Sequence, residues 1–504
     1  MRTYKIIRNI IIVISVVCLI ITLLLNVFFT TSIQNDISET TKISRNSFLD
    51  ILVVAFFVII IYITCQFLKK LNIKNRIWRI CIMSFIIIVY AGLQICWISM
   101  KNIAPVEDQK HVYDAATQMF NGETKGLLKS QYLETNPQQL TTSFLWSIFF
   151  HICNSSNYMN IQYLNIIANI LTLIMVYLIT IEISKKIETN KYLSIICFLC
   201  FIPLMALSTF VYGDLWSIAL SLSSIYLIIK FSNEHKMKYL IISIFTMSLG
   251  YMFRMNSIIF AIAICIYIVL KALKIDTSIK EKIIKIIIGI VFLIATVIPG
   301  TVLKMYLINK YELNASKAFP VTGYLYMGMS TSYRGNGWYG DSSFIAWEDI
   351  ELAKRQYPAL IRDRATELIS NPISALKFYI IKIASMWTEN TYSALWYNQT
   401  FNNNRQPNEK DLQGDTWLQE NEHRLVLLNK GIIIITLLGS LIIIIQNRKK
   451  ISDEVVLLLI AFVGGFLFHI LWEAKSRYII PYIVVLFPII SIKIKTKTLF
   501  KKKS

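Results

Sequence analysis

Four polar clusters interrupt an otherwise hydrocarbon-like chain, and each carries residue types that do chemistry. The first is Glu107-Asp108, near the start of the polar stretch 101–140. A carboxylate facing a wet space beside apolar walls can take a proton from a hydroxyl. At helical spacing Asp108, His111 and Ala115 share one face, and Tyr113, Ala116 and Phe120 share another. The plainer reading is that Glu107 or Asp108 caps a surface helix, because free N–H groups at a helix start favour negative charge. The second cluster is Tyr212-Gly213-Asp214. Asp214 either caps the helix that follows or faces the same space as Asp108 as a second carboxylate. The third is Arg254-Met255-Asn256-Ser257. A cation inside a long apolar run is costly in hydrocarbon and tends to face a wet cavity or an anion, unless it marks an ordinary short turn. The fourth is the turn 472–481, with Glu473, Lys475, Arg477 and Tyr478 between two apolar runs. Either it is a simple polar turn, or Arg477 joins Arg254 or Lys382 in a clamp for a lipid phosphate or pyrophosphate, a ligand that the planar guanidinium suits.

The elements that must position these residues follow from composition. Of 504 residues 55% are hydrophobic and 16% charged. A soluble chain of this size has nowhere to bury so much apolar surface, so the expected class is an all-α polytopic membrane protein. About twelve apolar runs lie between 10–29 and 479–492, among them 192–210 and a short pair, 239–253 and 256–273, hinged at Arg254. The net charge of +21 marks basic loops held on the cytoplasmic side rather than nucleic-acid binding. Lys69, Lys70, Lys185, Lys186, Lys449 and Lys450 are examples. This pattern places both termini in the cytoplasm and the stretches 101–140 and 309–424 outside. The run 141–153 is too short to span and reads as re-entrant or interfacial. The run 373–387, with Lys377 and Lys382, reads as an amphipathic helix on the membrane. Four regions are expected: two N-terminal spans in 1–75, a core in 76–308 with its first outer loop at 100–158, a second outer region with interfacial helices in 309–424, and C-terminal spans with a basic tail in 425–504.

The eight cysteines fall mostly in apolar runs and read as small buried hydrophobes; Cys197 and Cys200 form a C-x-x-C without partner ligands. The five histidines have no metal-binding spacing. No Walker loop, dinucleotide fingerprint or G-x-S-x-G is present, which disfavours an ATP-driven pump or a nucleotide-sugar enzyme.

The order of these motifs resembles the GT-C superfamily of membrane glycosyltransferases, which includes protein O-mannosyltransferases and the aminoarabinose transferases of lipid A. The resemblance lies in the first outer loop with Asp108 and Tyr113, the short apolar helix, the span ending Lys185-Lys186, Tyr212-x-Asp214, and Glu473-x-x-x-Arg477-Tyr478-x-x-Pro481. The stretches Tyr326-Met327-Gly328-Met329, Gly337-Trp338-Tyr339-Gly340 and Lys382…Trp387 look like a Gram-positive branch acting on cell-surface polymers. It covers about 75–495, and the first two spans look like an addition to the usual core. It implies a GT-C-like fold of about twelve transmembrane helices in the plasma membrane. It also implies inverting transfer of a sugar from a polyprenyl-phosphate carrier to a cell-surface glycan, polymer or lipid acceptor on the outer face. Asp108 is then the general base, with Glu107 sharing or replacing it, and Asp214 orients the acceptor. Arg477, with Arg254 and Lys382, meets the carrier phosphate. Tyr113, Tyr212, Trp338, Glu473 and Tyr478 are placed with the substrates. A divalent metal, Mg or Mn, serves some members and is left open here. The alternative reading is a flippase, transporter or polymerase of lipid-linked envelope glycans.

Overall fold

The structure, a computed structural model, describes residues 2–34, 38–70, 76–101, 103–123, 132–274, 278–399 and 409–493. The chain runs back and forth between two ends of a helical bundle. Helix α1 (Arg2–Phe28) leads into a hairpin of β1 (Phe29–Ile33) and β2 (Thr41–Arg45), and α2 (Phe48–Lys70) returns. Helix α3 (Arg76–Lys101) comes back to the hairpin end, where α4 (Glu107–Phe120), α5 (Tyr132–Thr135) and α6 (Leu140–Cys153) follow. After α7 (Tyr158–Ser184), α8 (Lys191–Leu199) and α9 (Ile202–Ala206) form one passage, bent by 47°. Then come α10 (Asp214–Glu234), α11 (Met237–Phe253), α12 (Ile258–Lys274) and α13 (Ile279–Lys310). The second polar region holds α14 (Val321–Met329), a small hairpin of β3 (Thr331–Ser332) and β4 (Gly335–Asn336), α15 (Phe344–Glu348), α16 (Ile350–Ser370) and α17 (Pro372–Trp387). The chain closes with α18 (Glu409–Asn447), α19 (Asp453–Leu471), α20 (Ile480–Val484) and α21 (Phe487–Ile490).

Nine of the described helices are long and apolar enough to cross a membrane, or ten if the bent pair counts as one. Three of the twelve expected spans therefore take another form. The run 192–210 is the bent pair, 239–253 is the 17-residue α11, and 479–492 belongs to the shorter apolar stretch Ser476–Ile490. Prolines explain two of the three breaks. Pro203, Pro481 and Pro488 each sit in the first turn of a short helix, where the missing N–H is tolerated but the preceding ladder ends.

One end of the bundle is held by ion pairs and a tyrosine hydrogen bond. Tyr4 and Lys274 meet Asp453 at 2.5 and 2.7 Å, Lys186 meets Glu454 at 2.5 Å, and Lys493 meets Glu188 at 2.9 Å. The starts of α1 and α19, the ends of α7 and α12, and residue 493 thus share this lysine-rich end. The two N-terminal helices pack into the bundle: α1 packs on α18, α19 and α17, and α2 packs on α18. Helix α17 forms as expected, but Lys377 and Lys382 do not share a polar face. Five residues turn a helix about 140° too far for that, so Lys377 is exposed while Lys382 is buried.

Candidate active site

Helix α4 starts without a side-chain cap. Val106 is the extended residue before it, and Glu107 and Asp108 occupy the first turn. Glu107 takes a left-handed backbone (φ 47°), a conformation that non-glycine residues seldom adopt. The helix buries Val112, Ala115, Ala116 and Met119 and packs on α6, whose Trp146 and Phe150 are buried beneath it. The Gln109 side chain accepts a hydrogen bond from the Val211 N–H at 2.9 Å, which ties α4 to the Tyr212 mouth. The opposite face is left toward a cavity of about 460 Å³ that Glu107, Asp108 and His111 line. His111 stacks on Tyr132 at 4.6 Å, and the Tyr132 and Tyr212 hydroxyls lie 3.2 Å apart.

Two guanidiniums meet at the next wall. At Gly213 a Cβ would fall 2.3 Å from the Phe253 carbonyl oxygen, so only glycine lets the end of α11 approach so closely. That approach sets Arg254 beside Asp214, with Nε 3.7 Å from Oδ2. Arg254 lies over the rings of Tyr212 and Tyr478 at 4.8 and 5.4 Å. Arg477 lies over the same two rings at 5.4 and 5.6 Å, and also over Phe210 and Tyr397 at 4.9 and 5.3 Å. Its Nη1 donates to the Tyr397 hydroxyl at 2.7 Å, its Nη2 is 3.9 Å from Asp108 Oδ2, and its buried Nε has no hydrogen-bond partner. Both carboxylate contacts are about 1 Å longer than a charge-assisted hydrogen bond. The two cations are therefore held by aromatic faces and only loosely neutralised.

The remaining wall comes from the turn after α19 and from the second polar region. Glu473, Lys475, Tyr324, Arg334 and Tyr339 line it. Burial pushes the carboxyls of Glu107 and Glu473 above the ordinary range, and each is raised further by Asp108 and Glu39 while Lys475 opposes the shift.

Of the residues singled out in the sequence, Glu107, Asp108, Tyr212, Arg254, Glu473 and Tyr478 line the cavity, and Asp214 and Arg477 pair with its lining. Three do not reach it. Tyr113 turns onto Phe150 and Tyr158. Trp338 is buried and donates to Ser385 at 2.9 Å. Lys382 is fully buried, and its ammonium donates to the carbonyls of Gly328, Ile470 and Trp472 at 2.6, 2.9 and 2.7 Å, which leaves no proton for a phosphate. The sequence reading passed over Tyr132, Tyr324, Arg334, Tyr397 and Glu39. Only Lys475, already inside the 472–481 turn, carried a local signal. Among the described residues no three His, Cys, Asp or Glu side chains come together, and Asp108, Asp214 and Glu39 pair with Arg477, Arg254 and Lys475.

A family model described as conserved hypothetical integral membrane protein matches residues 3–498, and the chain belongs to that family. It is a multi-pass integral membrane protein. No curated protein matches it. Among solved structures, the oligosaccharyltransferase of Archaeoglobus fulgidus in the apo form is 13% identical with a TM-score of 0.46, over 83% of this chain and 51% of that one. The archaeal oligosaccharyltransferase AglB from the same organism, in complex with an inhibitory peptide and a dolichol-phosphate, is 11% identical with a TM-score of 0.42, over 81% and 50%. This chain thus spans about half the length of those proteins, and nothing about its chemistry follows from overlaps this loose.

Proposed function

We propose that this member of the conserved hypothetical integral membrane protein family is a GT-C-like glycosyltransferase, one that moves a sugar from a polyprenyl-phosphate donor to a cell-surface glycan, polymer or lipid acceptor, with inversion. The observation that carries this reading is the pair Arg254 and Arg477. Two guanidiniums, Arg477 buried and Arg254 partly so, share the faces of Tyr212 and Tyr478, and neither has a close carboxylate. An anion with several oxygens, such as a phosphate, supplies what both lack. The cavity also lies at the end of the bundle opposite the lysine-rich one. Basic loops favour the cytoplasmic side, which supports an outward cavity and cytoplasmic termini.

In this reading the donor phosphate settles between Arg254 and Arg477 and takes the place of Asp108 at Arg477. Asp108, whose side chain is 43% exposed, is then free to accept the proton of the acceptor hydroxyl. The oxygen–C1 bond forms on the face of the sugar opposite the phosphate as the C1–O–phosphate bond breaks. Polyprenyl phosphate leaves with its charge on the two guanidiniums, which stabilise that charge as it develops. Asp108 later gives its proton to water. Asp214 holds Arg254, and His111, Tyr132 and Tyr212 form the wall against which the acceptor would lie.

The test pairs surface-glycan mass spectrometry with binding. Cells lacking the protein lose one monosaccharide from a surface glycan, and Asp108→Asn fails to restore it while inserting normally. Full restoration by Asp108→Asn sinks the assignment of the base. A changed sidedness of the lipid carrier, with no missing sugar, favours a flippase. Arg477→Ala weakens binding of decaprenyl phosphate by about tenfold or more, which is about 1.4 kcal/mol; unchanged binding removes the clamp.

A further inference from the structure

The hairpin between α1 and α2 sends one buried carboxylate to the cavity wall. Glu39 is 1% exposed and has a left-handed backbone (φ 52°). Such a conformation in a non-glycine residue persists only where its surroundings hold it, and it is found at functional sites. Glu39 Oε2 lies 3.0 Å from Lys475 Nζ and 3.8 Å from Arg334 Nη1. Its Oε1 accepts a hydrogen bond from the Ser393 hydroxyl at 3.2 Å, and that hydroxyl lies 2.8 Å from the Ser476 hydroxyl, next to both Lys475 and Arg477. Lys475 and Arg334 line the cavity, whereas Glu39 stands behind them.

The hairpin is fastened where this contact needs it. The Thr41 N–H and hydroxyl both donate to the Arg334 carbonyl, at 3.0 and 2.6 Å. A Cβ on Gly335 would fall 2.6 Å from the Thr41 hydroxyl oxygen, so the two hairpins touch only because that position has no side chain. On the other strand the Thr31 N–H donates to the Thr388 carbonyl at 3.0 Å. Below it Lys430 donates to the Phe29 carbonyl at 2.9 Å and to Asn46 Oδ1 at 2.7 Å.

We propose that Glu39 is a positioning residue of the site. Its carboxylate holds Lys475 and Arg334 at the cavity wall, so the two N-terminal helices and their hairpin form part of the catalytic unit. The role assigned to the cavity rests on the glycosyltransferase reading; the contact between Glu39 and Lys475 does not. Burial works against the Lys475 ammonium, and Glu39 foremost among its neighbours holds its pKa well above the ordinary value. The other groups facing Lys475 do not replace Glu39. Tyr397 and Tyr478 also favour the charge, whereas Arg477 opposes it. Glu107 and Glu473 are themselves raised by burial and hold their protons longer than an ordinary carboxylate. Without Glu39, burial dominates and Lys475 loses its proton at lower pH.

The experiment uses the full chain in detergent, with Glu39→Gln and Glu39→Asp. Acetic anhydride modifies only neutral amines, so its reaction at Lys475, read by peptide mass spectrometry from pH 6 to 10, reports that proton. In the natural protein Lys475 stays unreactive across the range. In Glu39→Gln its reactivity rises about tenfold or more at pH 8, through a shift of the profile to lower pH, and in Glu39→Asp it lies between the two. Binding of decaprenyl phosphate to Glu39→Gln then weakens from pH 6.5 to pH 8.5 beyond any change in the natural protein. A Lys475 profile that superimposes on the natural one in both variants overturns the proposal. So does a rise in reactivity in Glu39→Gln whose midpoint stays above pH 10, which reports exposure alone. If Glu39→Gln fails to fold, the Glu39→Asp profile decides. If the profile shifts but decaprenyl phosphate binds neither the natural protein nor the variants, the positioning role stands and the polyprenyl-phosphate reading falls.

Discussion

Glu107 and Asp108 are neighbours in sequence with different surroundings. Asp108 faces Arg477, with Oδ2 3.9 Å from Nη2. Glu107 is raised by burial, by Glu39 and by Asp108, while Lys475 and Arg334 oppose the shift. A raised carboxyl stays neutral through the ordinary carboxylate range and gains its charge only above it. Once ionised, Glu107 adds a negative charge to a cavity proposed to hold a phosphate. Binding of decaprenyl phosphate is thus expected to be tighter below this raised pKa and weaker above it. Glu107→Gln flattens that part of the profile, while the titration of the phosphate itself remains in both proteins. Titration calorimetry between pH 4.5 and 8 checks this, and identical profiles with and without the carboxyl remove Glu107 from the site. Asp108, Arg254 and Arg477 were legible because each belongs to a polar cluster that interrupts the apolar runs. Glu39 and Arg334 were not legible. They lie 295 positions apart in the chain, and neither has a local pattern that points to the other; only the packed hairpins bring them together.

At the scale of elements, Lys382 shows how a correct helix can carry a wrong role. Apolar periodicity predicts the helix over 373–387, but it does not say which lysine faces the core. In the structure Lys382 satisfies three carbonyls at once, two of them at the end of α19, where the helix leaves its last carbonyls without partners. It thereby joins α14, α17 and the turn that carries Glu473 and Lys475. A buried cation in this position contributes to the frame of the cavity rather than to its lining. Lys382→Met keeps the length and apolar stem but leaves three buried acceptors without a donor, each worth about 1–3 kcal/mol. The expected outcome is a loss of about 3 kcal/mol or more in stability, read by thermal unfolding in detergent. Protein that remains folded is expected to bind decaprenyl phosphate with little change. A loss of phosphate affinity at undiminished stability would instead return Lys382 to the binding site. The spans follow the same division. Hydrophobic length marked all twelve apolar segments, but proline placement, not hydrophobicity, decided that 192–210 bends and 479–492 breaks.

Across the whole molecule, positive charge is segregated to one end of the bundle. Lysine and arginine cluster in the α7–α8 and α18–α19 loops, around the α10–α11 turn, at the end of α12 and at the start of α13. They gather at one end, where Asp453, Glu454 and Glu188 take up part of that charge. The cavity, both hairpins and the region from α14 to α17 lie at the other. A polyprenyl-phosphate sugar transferred to a surface acceptor requires this second end to face outward. A cysteine at Glu351, exposed on α16, and one at Lys280, exposed at the start of α13, report the two ends. Both are placed in a background where the exposed cysteines Cys81, Cys96 and Cys153 are serine. An impermeant maleimide applied to intact cells is expected to label Glu351→Cys, and to label Lys280→Cys only after the membrane is opened. The reverse pattern would turn the cavity toward the cytoplasm. The phosphate clamp of Arg254 and Arg477 would survive that result, but the acceptor would no longer be a surface glycan, because Asp108 would then meet only cytoplasmic hydroxyls.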